Sequence, residues 1–236
     1  MRWPAILALA SACGFHHGAL LVDASGDDAT DSALADLAID DPPAARLCNP
    51  ADLDLRACFA FDGDTNDGSS YGNNANATGT AFVSGYRGQA LQTSGTAVVN
   101  VPATTSLDIA TMTLKMYIKP ISLPVGSARM GLIDSASRYR MFVQAFGTLR
   151  CAFTGGADYT TPQTVITMGV WQRVACTYDG TTLKLYVDGT MVGSQSYTGS
   201  LPMPGTGMVI GHNNPTGENF NGAIDEVQVW GSIVAP

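Results

Sequence analysis

Trp171-Gln172-Arg173-Val174-Ala175-Cys176-Thr177-Tyr178-Asp179-Gly180, then after two residues Leu183-Lys184-Leu185-Tyr186-Val187-Asp188-Gly189, decides the fold. Leu183, Leu185 and Val187 alternate with Lys184 and Tyr186, the period of two that a half-buried strand requires. The two Asp-Gly pairs bracket that strand and tolerate the positive φ angles of tight hairpins. Gln172–Tyr178, Leu183–Val187 and Met191–Gln195 are therefore predicted as an antiparallel meander. Upstream, Thr111–Lys119 alternates in the same way. Met112, Leu114, Met116 and Ile118 share one face, and Lys115, Tyr117 and Lys119 share the other. Further strands are expected at Cys58–Phe61, Gln89–Gln92, Ala97–Val101, Met130–Ile133, Tyr139–Phe146, Thr148–Phe153, Met208–Gly211 and Ala223–Trp230. Around ten or more short strands separated by turn residues predict an all-β, two-sheet antiparallel jelly-roll sandwich.

The same hairpins resemble the central strands of the laminin-G-like jelly-roll domains, which group with the concanavalin A-like lectins and glucanases. Three other stretches extend the likeness in the same order. Phe61-Asp62-Gly63-Asp64, with Asp67 following, resembles the first strand and turn. Gly85-Tyr86-Arg87-Gly88-Gln89-Ala90-Leu91 resembles the next Gly-rich stretch, and Phe220–Trp230 the closing strand. The resemblance covers about residues 48 to 232 and implies the fold. It leaves function open, because such sandwiches serve as enzymes, lectins and adhesion modules.

Composition narrows the classes. Of 236 residues only 14% are charged, against roughly 25% in an ordinary soluble domain, and 26 are Gly. The net charge of −8 supplies no basic field for a phosphate backbone, so nucleic-acid binding is excluded. Acidity comes from 18 Asp and two Glu, Glu218 and Glu226.

Met1-Arg2-Trp3 precedes the apolar run Pro4–Ala10 and then Ser11-Ala12-Cys13-Gly14, the outline of an export signal too short to span a bilayer. Ala10-Ser11-Ala12-Cys13 resembles a bacterial lipobox, which would make Cys13 a lipidated N-terminus; plain secretion is the alternative. Residues 1–13 are thus read as a signal and 14–47 as an acidic linker, in which Asp23, Asp27, Asp28, Asp31, Asp36, Asp40 and Asp41 face a single Arg46. Such a segment buries too little to fold and repels itself into an extended tether. Residues 48–236 form the jelly-roll domain.

Cys48, Cys58, Cys151 and Cys176 remain once Cys13 is set aside. An even number in an exported chain reads as two disulfides. Of three pairings, the local one joins Cys48 to Cys58 and Cys151 to Cys176. There is no CxxC and no neighbouring histidine, so zinc is not expected.

Catalytic signals are sparse. Glycoside hydrolysis needs two carboxylates facing across a cleft. The glucanase Glu-x-Asp-x-x-Glu strand is missing, and Glu218 and Glu226 stand eight residues apart with no acidic pattern between them. His212 is the one histidine of the domain, and no Gly-x-Ser-x-Gly elbow accompanies it. Asp62-Gly63-Asp64-Thr65-Asn66-Asp67-Gly68 begins like an EF-hand loop, but Asp67 occupies the glycine position and Asn73 the bidentate-glutamate position.

Strict alternation along Ala223–Val229 puts Asp225 on the side of Ala223, Val227 and Val229, with Glu226 and Gln228 opposite. A carboxylate on an apolar face needs a cation or several donors. The family resemblance implies a structural calcium between the first-strand turn and Asp225, with Asp64 and Asp225 as the leading side-chain ligands and Asp62 next. Backbone N–H groups or Arg87 are the protein-only alternative. Tyr159, His212, Asn213 and Asn214 are the expected ligand contacts, since aromatic and amide groups suit sugar rings and hydroxyls. The expected role is non-catalytic binding of a glycan or surface protein outside the cell. The alternatives are a glycoside hydrolase on the same fold and a purely structural envelope lipoprotein.

Overall fold

The structure, a computed structural model, describes residues 47–135, 138–203, 205–213 and 218–236. Cys13, the acidic linker up to Arg46 and Asn214 lie outside the described residues. The strands in chain order are β1 (Leu55–Phe59), β2 (Asn76–Thr78), β3 (Ala81–Ser84), β4 (Gln89–Thr93), β5 (Val98–Val101), β6 (Met112–Pro120), β7 (Arg129–Asp134), β8 (Tyr139–Gln144), β9 (Thr148–Phe153), β10 (Asp158–Thr160), β11 (Gln172–Tyr178), β12 (Thr182–Val187), β13 (Thr190–Ser196), β14 (Met208–Ile210) and β15 (Gly222–Trp230). They form two antiparallel sheets. One is eight-stranded, ordered β13-β12-β11-β6-β15-β4-β3 with β1 also paired to β15; the other is seven-stranded, ordered β10-β9-β8-β7-β14-β5-β2.

The central meander forms as the alternation predicts. Gly180 has φ +94°, and Asp188 and Gly189 have φ +50° and +77°, so both Asp-Gly pairs supply the left-handed turn residues. Asp179 Oδ1 accepts the N–H groups of Thr181 and Thr182, and Asp188 Oδ1 accepts that of Arg173. Met112, Leu114, Met116 and Ile118 of β6 face inward and meet Val174, Cys176 and Tyr178 of β11 in the core between the sheets. Cys151 on β9 is bonded to Cys176 on β11, so this disulfide crosses the sandwich from sheet to sheet. Cys48 is bonded to Cys58 of β1. Cys58 pairs with Gln228, on the outer side of the eight-stranded sheet, so the bond holds the segment before β1 against that outer face.

Strands β2, β3 and β10 were not legible in the sequence. Each has three or four residues with mostly exposed side chains at a sheet edge or next to it, where edge pairing alone defines the strand.

One local departure matters for function. Asp225 pairs with Tyr117 and Gln228 with Lys115, leaving two residues of β15 opposite the single Met116 of β6. This is a β-bulge, and Glu226 takes φ +48° to make it. The bulge shifts the alternation by one. Ile224, Val227 and Val229 enter the core, whereas Asp225 lies on the outer side, across from Tyr117 and alongside Gln228. The expected grouping of Asp225 with Val227 and Val229 is therefore corrected, because strict period-two counting fails at an inserted residue.

Candidate functional site

The outer face of the eight-stranded sheet gathers residues from β6, β11 and β15. A cleft of about 380 Å³ is lined there by Lys115, Tyr117, Arg173, Glu226, Gln228 and Trp230. Alternation explains the first three, since each is the outward neighbour of a core residue. The bulge supplies Glu226 and Gln228. The segment held by Cys48–Cys58 adds Leu47, Asn49 and Asp52 as a wall, and Gln228 Nε2 donates to the Leu47 carbonyl. An adjoining recess is lined by Tyr86, Tyr117, Trp171, Arg173 and Asp188. Tyr117 and Arg173 thus belong to both. Tyr86 stacks on Tyr117 at 3.8 Å between centroids and meets Trp171 edge-on at 6.4 Å. The result is an aromatic strip running across the sheet from Trp171 through Tyr117 towards Trp230.

The charges in this cleft are unequal. Glu226, 9% exposed, pairs with Arg87 at 3.5 Å. Burial pushes the Glu226 carboxyl up, and the nearby Asp225 and Asp62 push the same way against Arg87 and Lys115. Lys115 Nζ lies 5.7 Å from the Trp230 ring centroid and donates to the Ala235 carbonyl at 3.1 Å. Burial pushes its ammonium down, and Arg173 adds to that. Burial, then the hydrogen bond to Tyr86, pushes the Tyr117 phenol up.

The three carboxylates expected to hold calcium are satisfied differently. Asp225 is fully buried. Its Oδ2 accepts the N–H groups of Tyr86 at 2.9 Å and Arg87 at 3.2 Å, and its Oδ1 that of Glu226 at 2.8 Å. Burial still pushes its carboxyl up. Asp62 Oδ1 accepts the Gln89 N–H at 2.7 Å, close against Gly88, where a Cβ would fall 2.1 Å from that oxygen. Asp64 is turned into its own loop, accepting the N–H and the side-chain amide of Asn66. Asp67, from the same loop, accepts the N–H groups of Cys58, Ser69 and Asn73 and the Ser69 hydroxyl, and so organises the turn itself. Among the described residues no group of three or more His, Cys, Asp or Glu side chains is arranged to hold a metal ion. Of the expected ligands Asp62 and Asp225 are close enough for each carboxylate to feel the other, whereas Asp64 is bonded within its own loop and three backbone N–H groups already satisfy Asp225.

The expected ligand contacts are not brought to the cleft. Tyr159 pairs with Cys151 on the inward side of β10 and rests on Gly193 of β13, where a Cβ would come within 2.3 Å of its ring. It closes the edge between the sheets. His212 and Asn213 follow β14, which three strands separate from β10. Asn213 Nδ2 donates to Glu218 Oε2 at 2.6 Å, where Arg129 also binds at 2.5 Å. His212 is buried, its Nδ1 3.2 Å from the Asn213 carbonyl. The sequence did signal Lys115 and Tyr117, as the polar face of an alternating strand, and Glu226 and Gln228, as the side of the closing strand opposite Val227 and Val229; the bulge hid the outward placement of Asp225.

An outward-facing aromatic and polar cleft on a two-sheet antiparallel sandwich defines a lectin-type β-sandwich. The chain belongs to the concanavalin A-like lectin/glucanases superfamily, whose family model matches residues 93–235. The comparison with curated proteins finds no match. Among solved structures, domain 4 of AbnA, a GH43 extracellular arabinanase from Geobacillus stearothermophilus in complex with arabinotriose, is similar at 18% identity and TM-score 0.60, over 75% of this chain and 91% of that one. The binding domain of Paraclostridial Mosquitocidal Protein 1 is similar at 15% identity and TM-score 0.63, over 77% of this chain and 49% of that one. A Trypanosoma rangeli sialidase in complex with 2,3-difluorosialic acid is similar at 14% identity and TM-score 0.57, over 77% and 31%. These likenesses establish the fold. This chain spans about half of the toxin domain and about a third of the sialidase chain.

Proposed function

We propose that the domain is a non-catalytic glycan-binding module. Its ligand surface is the outer cleft of the eight-stranded sheet, and the chain is exported and held at the cell surface by a lipid on Cys13 and the acidic tether. The observation that supports this reading is the cleft itself. Trp230 and Tyr117 offer ring faces for a sugar, with Gln228, Lys115 and Arg173 beside them as hydrogen-bonding groups. A concave site with aromatic walls and a few placed polar groups is the usual form of a small-ligand site. Two chains with a similar fold, the arabinanase domain and a botulinum toxin binding domain of which this chain spans half, are recorded in complex with arabinotriose and with SialylT, which is consistent with a glycan ligand. The full chain should bind defined glycans on an array, and Trp230→Ala should abolish the signal while leaving the fold intact by circular dichroism. Retained binding in Trp230→Ala would move the site elsewhere. Cys13→Ser should release the protein from the membrane fraction.

A second reading, a glycoside hydrolase, draws on Glu226, whose carboxyl is pushed up in a cleft as a general acid requires. Among the described residues the only other carboxylate lining that cleft is Asp52, on the wall held by the disulfide. Release of reducing sugar that Glu226→Gln abolishes would favour the hydrolase; binding without turnover favours the module.

A further inference from the structure

Lys115 and Arg173 are diagonal neighbours across the β6–β11 ladder, where Arg173 pairs with Tyr117 and Lys115 with Ala175; such positions lie roughly 7–8 Å apart. Among the described residues neither is ion-paired. The ion pairs belong to Arg56, Arg87, Arg129, Arg138 and Arg150. The carboxylates nearest the two cations are committed. Glu226 is paired with Arg87, Asp188 accepts the Arg173 backbone N–H, and Asp52 accepts the Asp54 N–H on the wall. Lys115 meets only a carbonyl and the Trp230 ring. Two like charges side by side in a partly desolvated cleft repel each other, and the protein offsets this only in part, through Glu226, which is itself paired with Arg87. An anion seated between them would remove it. The placement is specific, because Tyr117 stands between the two strands' cations and Trp230 borders Lys115, so a charged group at the cations leaves the rest of a sugar ring against an aromatic face.

We propose that the cleft selects an acidic glycan, with a sugar carboxylate received by Lys115 and Arg173 and the ring carried on Tyr117 and Trp230. This rests on the glycan-binding reading and adds its ligand class. In a chain of net charge −8, such selectivity has to be local, since the overall field repels polyanions.

The test is titration calorimetry of the full chain with polygalacturonate, alginate and hyaluronan, each beside its carboxyl-methylated form, together with neutral arabinan and glucan. At least one acidic polymer should bind, and methylation should weaken it at least tenfold. Lys115→Gln and Arg173→Gln should each weaken it by a similar factor with melting temperatures unchanged. Arg150→Gln, on the opposite sheet, should bind like the parent. Equal binding of acid and methyl ester would overturn the proposal and leave the glycan reading standing. So would binding confined to arabinan or glucan and sensitive to Trp230→Ala. Absence of binding to every polymer, acidic or neutral, would remove both.

Discussion

On the outer face of the seven-stranded sheet, Arg129 and Arg150 flank the Phe142 ring at 4.6 and 5.8 Å, and each is paired, with Glu218 and Asp158 respectively. Arg140 donates to the Thr154 hydroxyl. On the outer face of the eight-stranded sheet, Lys115 and Arg173 have aromatic neighbours and, among the described residues, no ion pair of their own, Glu226 of the same cleft being paired with Arg87. The two faces share a chemistry of cations on rings and differ in whether the protein completes it. Where every cation has its partner, the arrangement contributes to the fold. Where two do not, the cations are left open to an anion brought by a ligand, as proposed above. The seven-stranded face is also flat in its alternation on β8 and β9, whereas the other owes its cleft to a bulge and to a segment fixed by a disulfide.

The largest expected effect that separates the faces is at Asp225. Asp225→Ala strands three backbone N–H donors under the cleft and should destabilise the domain by about 4 kcal/mol, read by denaturant unfolding. Chelator should leave the parent's melting temperature unchanged, because N–H groups satisfy this carboxylate. A chelator-dependent drop that Asp225→Ala abolishes would instead place a calcium ion between Asp225 and Asp62.

The two disulfides should part stability from binding. Replacing Cys151 and Cys176 by alanine opens a loop of 25 residues and should cost roughly 3.5 kcal/mol in the chain-entropy account, with glycan affinity retained. Replacing Cys48 and Cys58 should cost roughly 2.7 kcal/mol, and should also weaken glycan binding, because Leu47, Asn49 and Asp52 lose their anchor. Equal binding by both double variants would show that the wall plays no part.

The faces should also respond oppositely to acid. Glu226 and Asp225 have carboxyls pushed up, so the folded state takes up their protons before the unfolded state does. Their contribution to stability therefore increases as pH falls from neutrality through the raised values. Asp158 has its carboxyl held down, first by its hydrogen bond to Arg150. Its contribution is present above the ordinary aspartate range and is lost as pH falls through the lowered value. Glu226→Gln should flatten the gain on mild acidification. Asp158→Asn should lose less than about 1 kcal/mol, its pair being half exposed. Stability curves of the two variants against pH check both signs.

The smallest effect is expected in the core. Tyr139 is buried, its hydroxyl has no hydrogen-bond partner among the described residues, and burial pushes its phenol to about 12. Tyr139→Phe should be neutral or stabilise by up to about 1 kcal/mol. Tyr178, whose hydroxyl exchanges hydrogen bonds with Gly199, should lose about 1 kcal/mol on the same change. A loss at Tyr139 matching that at Tyr178 would contradict the assignment.

How much of this was legible in the sequence follows from periodicity. Gln172–Tyr178 and Thr148–Phe153 were read with their observed bounds, because alternation and Asp-Gly or Gly punctuation are local signals. The outward set Lys115, Tyr117 and Lys119 was equally plain. The cleft was not. It needs the register of β15 against β6, and the inserted residue at Asp225–Glu226 puts Asp225 on the same outer side as Gln228, where strict alternation sets the two on opposite sides. Tyr159 is half-buried against Gly193 and His212 is buried beside Gly131, packing that residue type alone does not reveal. Gly193 and Gly131, the glycines that accommodate them, lie far away in sequence.

The most direct test is a backbone and indole amide NMR titration of the full chain with the glycan it binds most tightly. The account predicts that the largest shifts fall on Lys115, Tyr117, Arg173, Gln228 and Trp230, including the Trp230 indole N–H, with Arg129, Arg140 and Arg150 unmoved. Shifts concentrated instead around Arg129, Arg140 and Arg150, or at Tyr159, His212 and Asn213, would contradict it.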